Sequence, residues 1–138
     1  MDGRELSRQM IAAWNNRDWD TIRNAMHPDY TYTGPDGEIV KGVEEGLEVA
    51  WKSFGDGFDG RIDVDSMQMY VDGNTVITEF RAKLTHTGSF AGIAPTGNTV
   101  EIDLCNKMVL SDDGRVLAER DYMDTLAFLV QLGVVEAP

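Results

Sequence analysis

The residues best suited to proton chemistry are Asp121 and Asn106. Asp113-Gly114 lies between two alternating runs and reads as a hairpin turn. With those two residues as the loop, Asp112 pairs with Arg115, and counting back sets Asn106 directly opposite Asp121. A four-residue loop from Ser111 to Gly114 shifts the partner by two and leaves the face unchanged. The face holding Leu104, Asn106 and Met108 then continues as Leu117, Glu119, Asp121 and Met123. A carboxylate on so apolar a face is desolvated, and its pKa rises toward working pH. Such a group takes a proton next to a carbonyl and returns one. Val116, Ala118 and Tyr122 on the opposite face are apolar too, so the pattern leaves Asp121 facing either a cavity or solvent. Glu119 on the same face weakens the cavity reading unless it lies beyond the rim.

Other candidates carry less. His86 shares the phase of Leu84 and Phe80, where a lone histidine suits a structural hydrogen-bond partner better than a catalyst. His27 before Pro28 reads as a helix-end residue, and two histidines so far apart make no metal site without a carboxylate partner. Arg120 and Asp124 suit an ion pair or a cap. No Gly-x-Ser-x-Gly or Gly-x-Gly-x-x-Gly pattern occurs, so serine-hydrolase and dinucleotide readings lack support.

The elements that position these residues follow from periodicity. Leu6, Met10 and Trp14 recur every four residues behind Asp2, predicting a helix over 3–15. Asp18 caps a second helix with Trp19, Ile22 and Met26, which Pro28 stops. Tyr30 and Tyr32 alternate with threonines as in a short strand, and a Gly34 to Gly37 turn leads to Ile39 and Val40. A third helix from Val43 carries Leu47, Ala50, Trp51 and Phe54 on one face and ends at Gly55-Asp56-Gly57. After residue 60 the period becomes 2. The first long strand changes phase near Ser66, which suggests a bulge, and Asp72-Gly73 reads as its hairpin turn. The second carries Val76, Phe80, Ala82, Leu84 and His86 on one face, and the third Val100 to Leu110. A last strand runs to about Asp124, and Leu126, Leu129 and Val130 form a short helix ended by Gly133. Helices in front and long antiparallel strands behind define a single α+β domain over 1–138. Such a curved sheet, wrapped by three N-terminal helices and a short C-terminal one, tends to make a cone with a cavity at its wide end.

Composition sets the partners. The 138 residues, 42% of them hydrophobic, suffice for a core with an internal pocket. Twelve Lys+Arg against 24 Asp+Glu give a net charge of −12, which disfavours nucleic acid and anionic membranes. The single Cys105 excludes an internal disulfide and fits a reducing compartment. The N-terminus has no signal pattern and no run approaches a membrane span, so a soluble cytoplasmic protein is expected.

The segment from Thr85 through His86, Gly88, Gly92, Ala94 and Pro95 to Gly97 resembles the signature loop of the SnoaL-like polyketide cyclases, within the nuclear transport factor two-like superfamily. Asp113-Gly114-Arg115-Val116, Glu119-Arg120-Asp121-Tyr122-Met123-Asp124 and Gln131-Leu132-Gly133 extend it, as do Met26 to Tyr30 and Val49-Ala50-Trp51, so the resemblance covers nearly the whole chain. It implies a cone-shaped fold and an intramolecular aldol ring closure of an aromatic polyketide ester, without metal or organic cofactor. It also implies an aspartate acid/base at Asp121 and a homodimer or higher homo-oligomer through the outer sheet face. One carboxyl in a dry pocket can exchange both protons of that reaction, and ketosteroid isomerase, from the same superfamily, also uses an Asp base.

The departures are specific. The family's supporting histidine falls on Asn106, its helix-three asparagine on Glu48, its first-helix tyrosine on Trp14 and an early-strand asparagine on Tyr32. Asn106 can hydrogen bond but cannot carry the histidine's proton. The pocket is therefore similar in shape and different in chemistry. Limonene-epoxide hydrolases share the final Arg-Asp-Tyr-x-Asp, but their earlier Arg-x-Asp falls on Phe80 and Ala82, which disfavours that triad. The expected site has Asp121 as general acid/base, Asn106 orienting it or the substrate, and Trp14, Tyr32, Glu48, Trp51, Phe54, His86 and Met108 around an aromatic or polycyclic keto-bearing small molecule. The alternatives are a hydroxylase-type relative and a non-catalytic binding or assembly domain, since fold alone does not fix function. A desolvated Asp121 in an open pocket favours the enzyme, and an exposed or salt-bridged one the binding domain.

Overall fold

The computed structural model describes residues 2–138. Helix α1 (Gly3–Asn15) begins where Asp2 accepts the Glu5 amide, and α2 (Trp19–Ala25) where Asp18 accepts the Thr21 amide. Strand β1 (Met26–Thr33) takes in Pro28, and β2 (Ile39–Lys41) pairs with it. The third helical stretch is continuous but mixed: α3 (Val43–Leu47), one π-helical turn (Glu48–Lys52) and α4 (Ser53–Gly57). Strands β3 (Phe58–Asp72), β4 (Thr75–His86), β5 (Thr99–Leu110) and β6 (Val116–Met123) follow, then α5 (Thr125–Leu132), capped by Asp124 and ended by a left-handed Gly133.

The six strands lie in the order β2-β1-β6-β5-β4-β3. All pairs are antiparallel except β1 with β6, which are parallel, so the chain's first strand closes onto its last. One face of the sheet is dry. On β5 every inward residue from Val100 to Leu110 is buried, including Asn106. Helix α1 docks on this face through apolar side chains and two polar clamps. Asn15 exchanges hydrogen bonds with the Ile62 backbone at 2.8 and 3.1 Å, and Ser7 meets Thr78 at 2.7 Å. These satisfy polar groups that would otherwise be costly to bury.

Two turns differ from the sequence reading. Asp72 pairs with Thr75, so the β3-β4 loop is Gly73-Asn74, one residue later than expected, with Gly73 taking the positive φ of 59°. At the β5-β6 hairpin the loop has three residues, because the Ser111 amide donates to the Arg115 carbonyl. Gly114 is left-handed (φ 80°), and Leu117 is extra between the pairs Leu110–Val116 and Val109–Ala118. Val116 therefore takes the buried place expected for Leu117. The longer loop and the bulge cancel, and Asn106 still pairs with Asp121. The expected β3 bulge is present between Asp63 and Gln68, where Ser66 Oγ accepts the Arg81 amide at 2.9 Å.

Candidate active site

A cavity opens between the dry sheet face and the helices. Its empty volume, counting the open mouth, is about 490 Å³. Trp14, Ala50, Trp51 and Phe54 line it from the helices, and Phe80, Leu84, Ile102 and Leu104 from the sheet. Asn106 and Asp121 are its polar residues. The π-helical turn carries Ala50 and Trp51, and the Trp51 carbonyl accepts the Trp14 indole N–H at 3.0 Å. Such turns often sit at functional sites.

Behind the cavity runs a closed hydrogen-bond network. Asn106 Nδ2 donates to Asp121 Oδ1 and to Glu119 Oε2, both at 2.8 Å. Tyr32 donates its hydroxyl to Asp121 Oδ2 at 2.7 Å. Tyr30 and the Trp51 indole donate to Glu119 Oε1 at 2.7 and 2.9 Å. The tyrosines alternate on β1 as the carboxyls alternate on β6. Parallel pairing sets Tyr32 beside Glu119, so each hydroxyl reaches the carboxyl two residues past its own level.

Both carboxyls are buried and neither has a cation partner among the described residues. Burial pushes Asp121 up to about 6, while the bonds from Asn106 and Tyr32 hold it down. Burial, and then the neighbouring Asp121 charge, push Glu119 up to about 7. The Tyr30 and Tyr32 hydroxyls are driven far above their ordinary range by burial first and then by the carboxylates they face, so they serve as donors.

The structure brings Asp121, Asn106, Trp14, Trp51 and Phe54 together on the cavity wall. Tyr32 stands behind the wall and touches Asp121 through its hydroxyl. Met108 is buried in the core beside Glu119 rather than on the wall. Glu48 lies outside the cavity, because the helical stretch turns Ala50, Trp51 and Phe54 inward and leaves Glu48 exposed beside Lys52 at 3.7 Å. His86 is fully buried away from the wall. Its Nδ1 accepts the Thr96 amide at 3.1 Å, tying down the loop after β4, and its ring stacks on Phe58. From that loop Phe90 packs on Phe54, with ring centres 4.7 Å apart. The sequence reading missed the roles of Glu119 and Tyr30. Their signal was the alternation that puts each two residues before Asp121 or Tyr32, on the same face.

Among the described residues no group of three or more His, Cys, Asp or Glu side chains could hold a metal ion, and no helix is long and apolar enough to cross a membrane.

Solved structures share this architecture. IdmH from Streptomyces antibioticus, a candidate polyketide cyclase, is 26% identical with a TM-score of 0.77, over 97% of this chain and 100% of that one. AclR from Streptomyces galilaeus, a candidate hydroxylase, is also 26% identical with a TM-score of 0.77, over 98% and 83%. A candidate SnoaL-like polyketide cyclase from Jannaschia sp. CCS1 is 22% identical with a TM-score of 0.81, over 97% and 92%. No curated protein matches the chain. The family model for SnoaL-like polyketide cyclase matches residues 4–132, taking in every element that builds the cavity, and the chain belongs to that family.

Proposed function

We propose that this protein catalyses a cofactor-independent, aldol-type ring closure on a neutral, keto-bearing small molecule, aromatic or polycyclic, with Asp121 as general acid/base. The observation that carries the reading is a desolvated carboxyl, without a cation partner, on the wall of an otherwise apolar cavity. An exposed or salt-bridged Asp121 would have favoured a binding module. The Asp121 carboxylate takes a proton from the carbon next to a carbonyl. The resulting enolate attacks a second carbonyl of the same molecule, one C–C bond forms, and the carboxyl returns its proton to the new alkoxide. Mass is unchanged. Asn106 and Tyr32 hold the carboxylate in place through their hydrogen bonds, and the apolar walls, Trp14, Trp51 and Phe54 among them, exclude water and hold the rings.

The protein acts in the cytoplasm as a homodimer or higher homo-oligomer. The outer sheet face, where Tyr70 and Tyr122 stand half exposed, supports the self-association.

The test is turnover of an anthraquinone-type keto ester by the wild type and Asp121→Asn, followed by absorbance and mass. Ring closure at unchanged mass that falls by roughly two to four orders of magnitude in the variant supports the reading. A product heavier by one oxygen would move the assignment to a hydroxylase. Binding with no turnover in either protein would make it a binding domain.

A further inference from the structure

Asn106 presents one end of its amide to two carboxylates. Its Nδ2 lies 2.8 Å from Asp121 Oδ1 and 2.8 Å from Glu119 Oε2. Only the NH₂ end can face two acceptors, and both of its N–H bonds are then used. The carbonyl Oδ1 takes no hydrogen bond from the described residues. It is also not one of the two buried polar atoms without a partner, which are His86 Nε2 and Arg120 Nε. It is therefore accessible on the side of Asn106 that lines the cavity.

The other donors near the cavity are occupied. The Trp14 indole donates to the Trp51 carbonyl, the Trp51 indole to Glu119, and the Tyr32 hydroxyl to Asp121. The remaining wall side chains are hydrocarbon. A bound molecule thus meets an amide oxygen and a carboxyl, with no free side-chain donor on the wall and no cation. A ligand hydroxyl or enol satisfies that oxygen, whereas a carbonyl, ether or carboxylate in the same place leaves it unpaired.

Glu119 and Asp121, when both are ionised, make this arrangement obligatory. Glu119 does not line the cavity. Its Oε1 is taken by Tyr30 and Trp51, so Oε2 is the oxygen left for Asn106. We propose that Glu119 is a positioning residue that fixes the polarity of Asn106, so that the cavity selects neutral molecules carrying a hydroxyl or enol donor beside the reacting carbonyl. This rests on the cavity being the substrate site, but not on Asp121 being catalytic.

Glu119→Gln tests it. The new amide keeps its oxygen toward Tyr30 and Trp51 and turns its NH₂ toward Asn106, where donor would meet donor. Asn106 Nδ2 is then caught between that NH₂ and Asp121 Oδ1. The half-turn that relieves the first contact and points its NH₂ into the cavity sets its oxygen against Asp121, which must hold a proton to bond it. The probes are 1-naphthol and 1-methoxynaphthalene, similar ring systems with and without the donor, measured by calorimetry at about pH 8, above the value near 7 to which burial pushes Glu119. Wild type should bind the naphthol at least about fivefold more tightly. The variant should lose or reverse that ratio while still binding the methyl ether. An equal loss of both probes would reduce Glu119 to a fold-supporting residue and overturn the proposal. So would a wild type that prefers the ether or does not distinguish them, a result that needs no folded variant. Failure of wild type to bind either probe would overturn the substrate site itself along with the proposal. Loss of turnover in Asp121→Asn bears on the catalytic reading alone.

Discussion

Tyr32 donates its hydroxyl to Asp121 Oδ2 at 2.7 Å, from a strand that runs parallel to the one carrying the carboxyl. The bond is made to the charged form, so it favours ionisation and opposes the upward push of burial. The carboxyl is balanced between these two influences, which is what a group that must both take and return a proton requires.

Tyr32→Phe should therefore move the acid limb of the pH-rate profile. With Asp121 near 6 in the wild type, kcat/KM for ring closure should rise through about pH 6 as the base forms. Deleting one hydrogen bond to a charged group costs roughly 1.5–3 kcal/mol, so the limb should shift upward by about one to two pH units. A profile of kcat/KM against pH checks this. A limb that stays in place while the rate falls would make Tyr32 a packing residue only.

The same burial makes stability depend on pH, with a definite sign. The unfolded carboxyl of Asp121 ionises near 3.8 and the folded one near 6. Between those values the folded state holds a proton that the unfolded state has lost, so stability falls as pH rises through this window and stays reduced above it. Two units correspond to about 3 kcal/mol. Asp121→Asn removes this penalty, so the variant should be more stable than wild type at pH 8, by about 1–3 kcal/mol, with the difference shrinking toward pH 4. Thermal or urea denaturation at the two pH values reads it. A variant less stable at pH 8 would mean that the carboxyl is solvated.

The periodic parts of the fold were legible in the sequence because burial writes them there. The inward face of β5, the caps Asp2 and Asp18, and the bulge near Ser66 all follow from local pattern. The pairing of Asn106 with Asp121 was legible for a partly accidental reason, since a three-residue loop and an extra Leu117 offset each other. The parallel closure of β1 onto β6 was not legible, because a strand's own residues do not name its neighbour. Glu119 was misjudged for that reason. Its burial depends on Tyr30 arriving from β1 and on Trp51 from the π-helical turn, neither of which is near it in sequence. Glu48 was misplaced because family position carried it inward, while the observed helical phase leaves it beside Lys52.

Gly46 supplies a test of how tightly the network is held from behind. It sits in α3 against Tyr30, and a Cβ added there would lie 2.3 Å from Tyr30 Cε1 and 2.6 Å from Cδ1. In an open helix, alanine would gain about 1 kcal/mol over glycine. Here the ring is fully buried and its hydroxyl is fixed on Glu119, so it has nowhere to retreat without breaking that bond. Forcing a methyl into such packing costs roughly 1–3 kcal/mol, and the displaced hydroxyl leaves Glu119 one donor short. Gly46→Ala should therefore lose about 1–2 kcal/mol in urea denaturation, against the helix-propensity trend. It should also slow ring closure, although position 46 is not on the cavity wall. A gain in stability with unchanged turnover would show that Tyr30 can shift freely and that Glu119 does not depend on it.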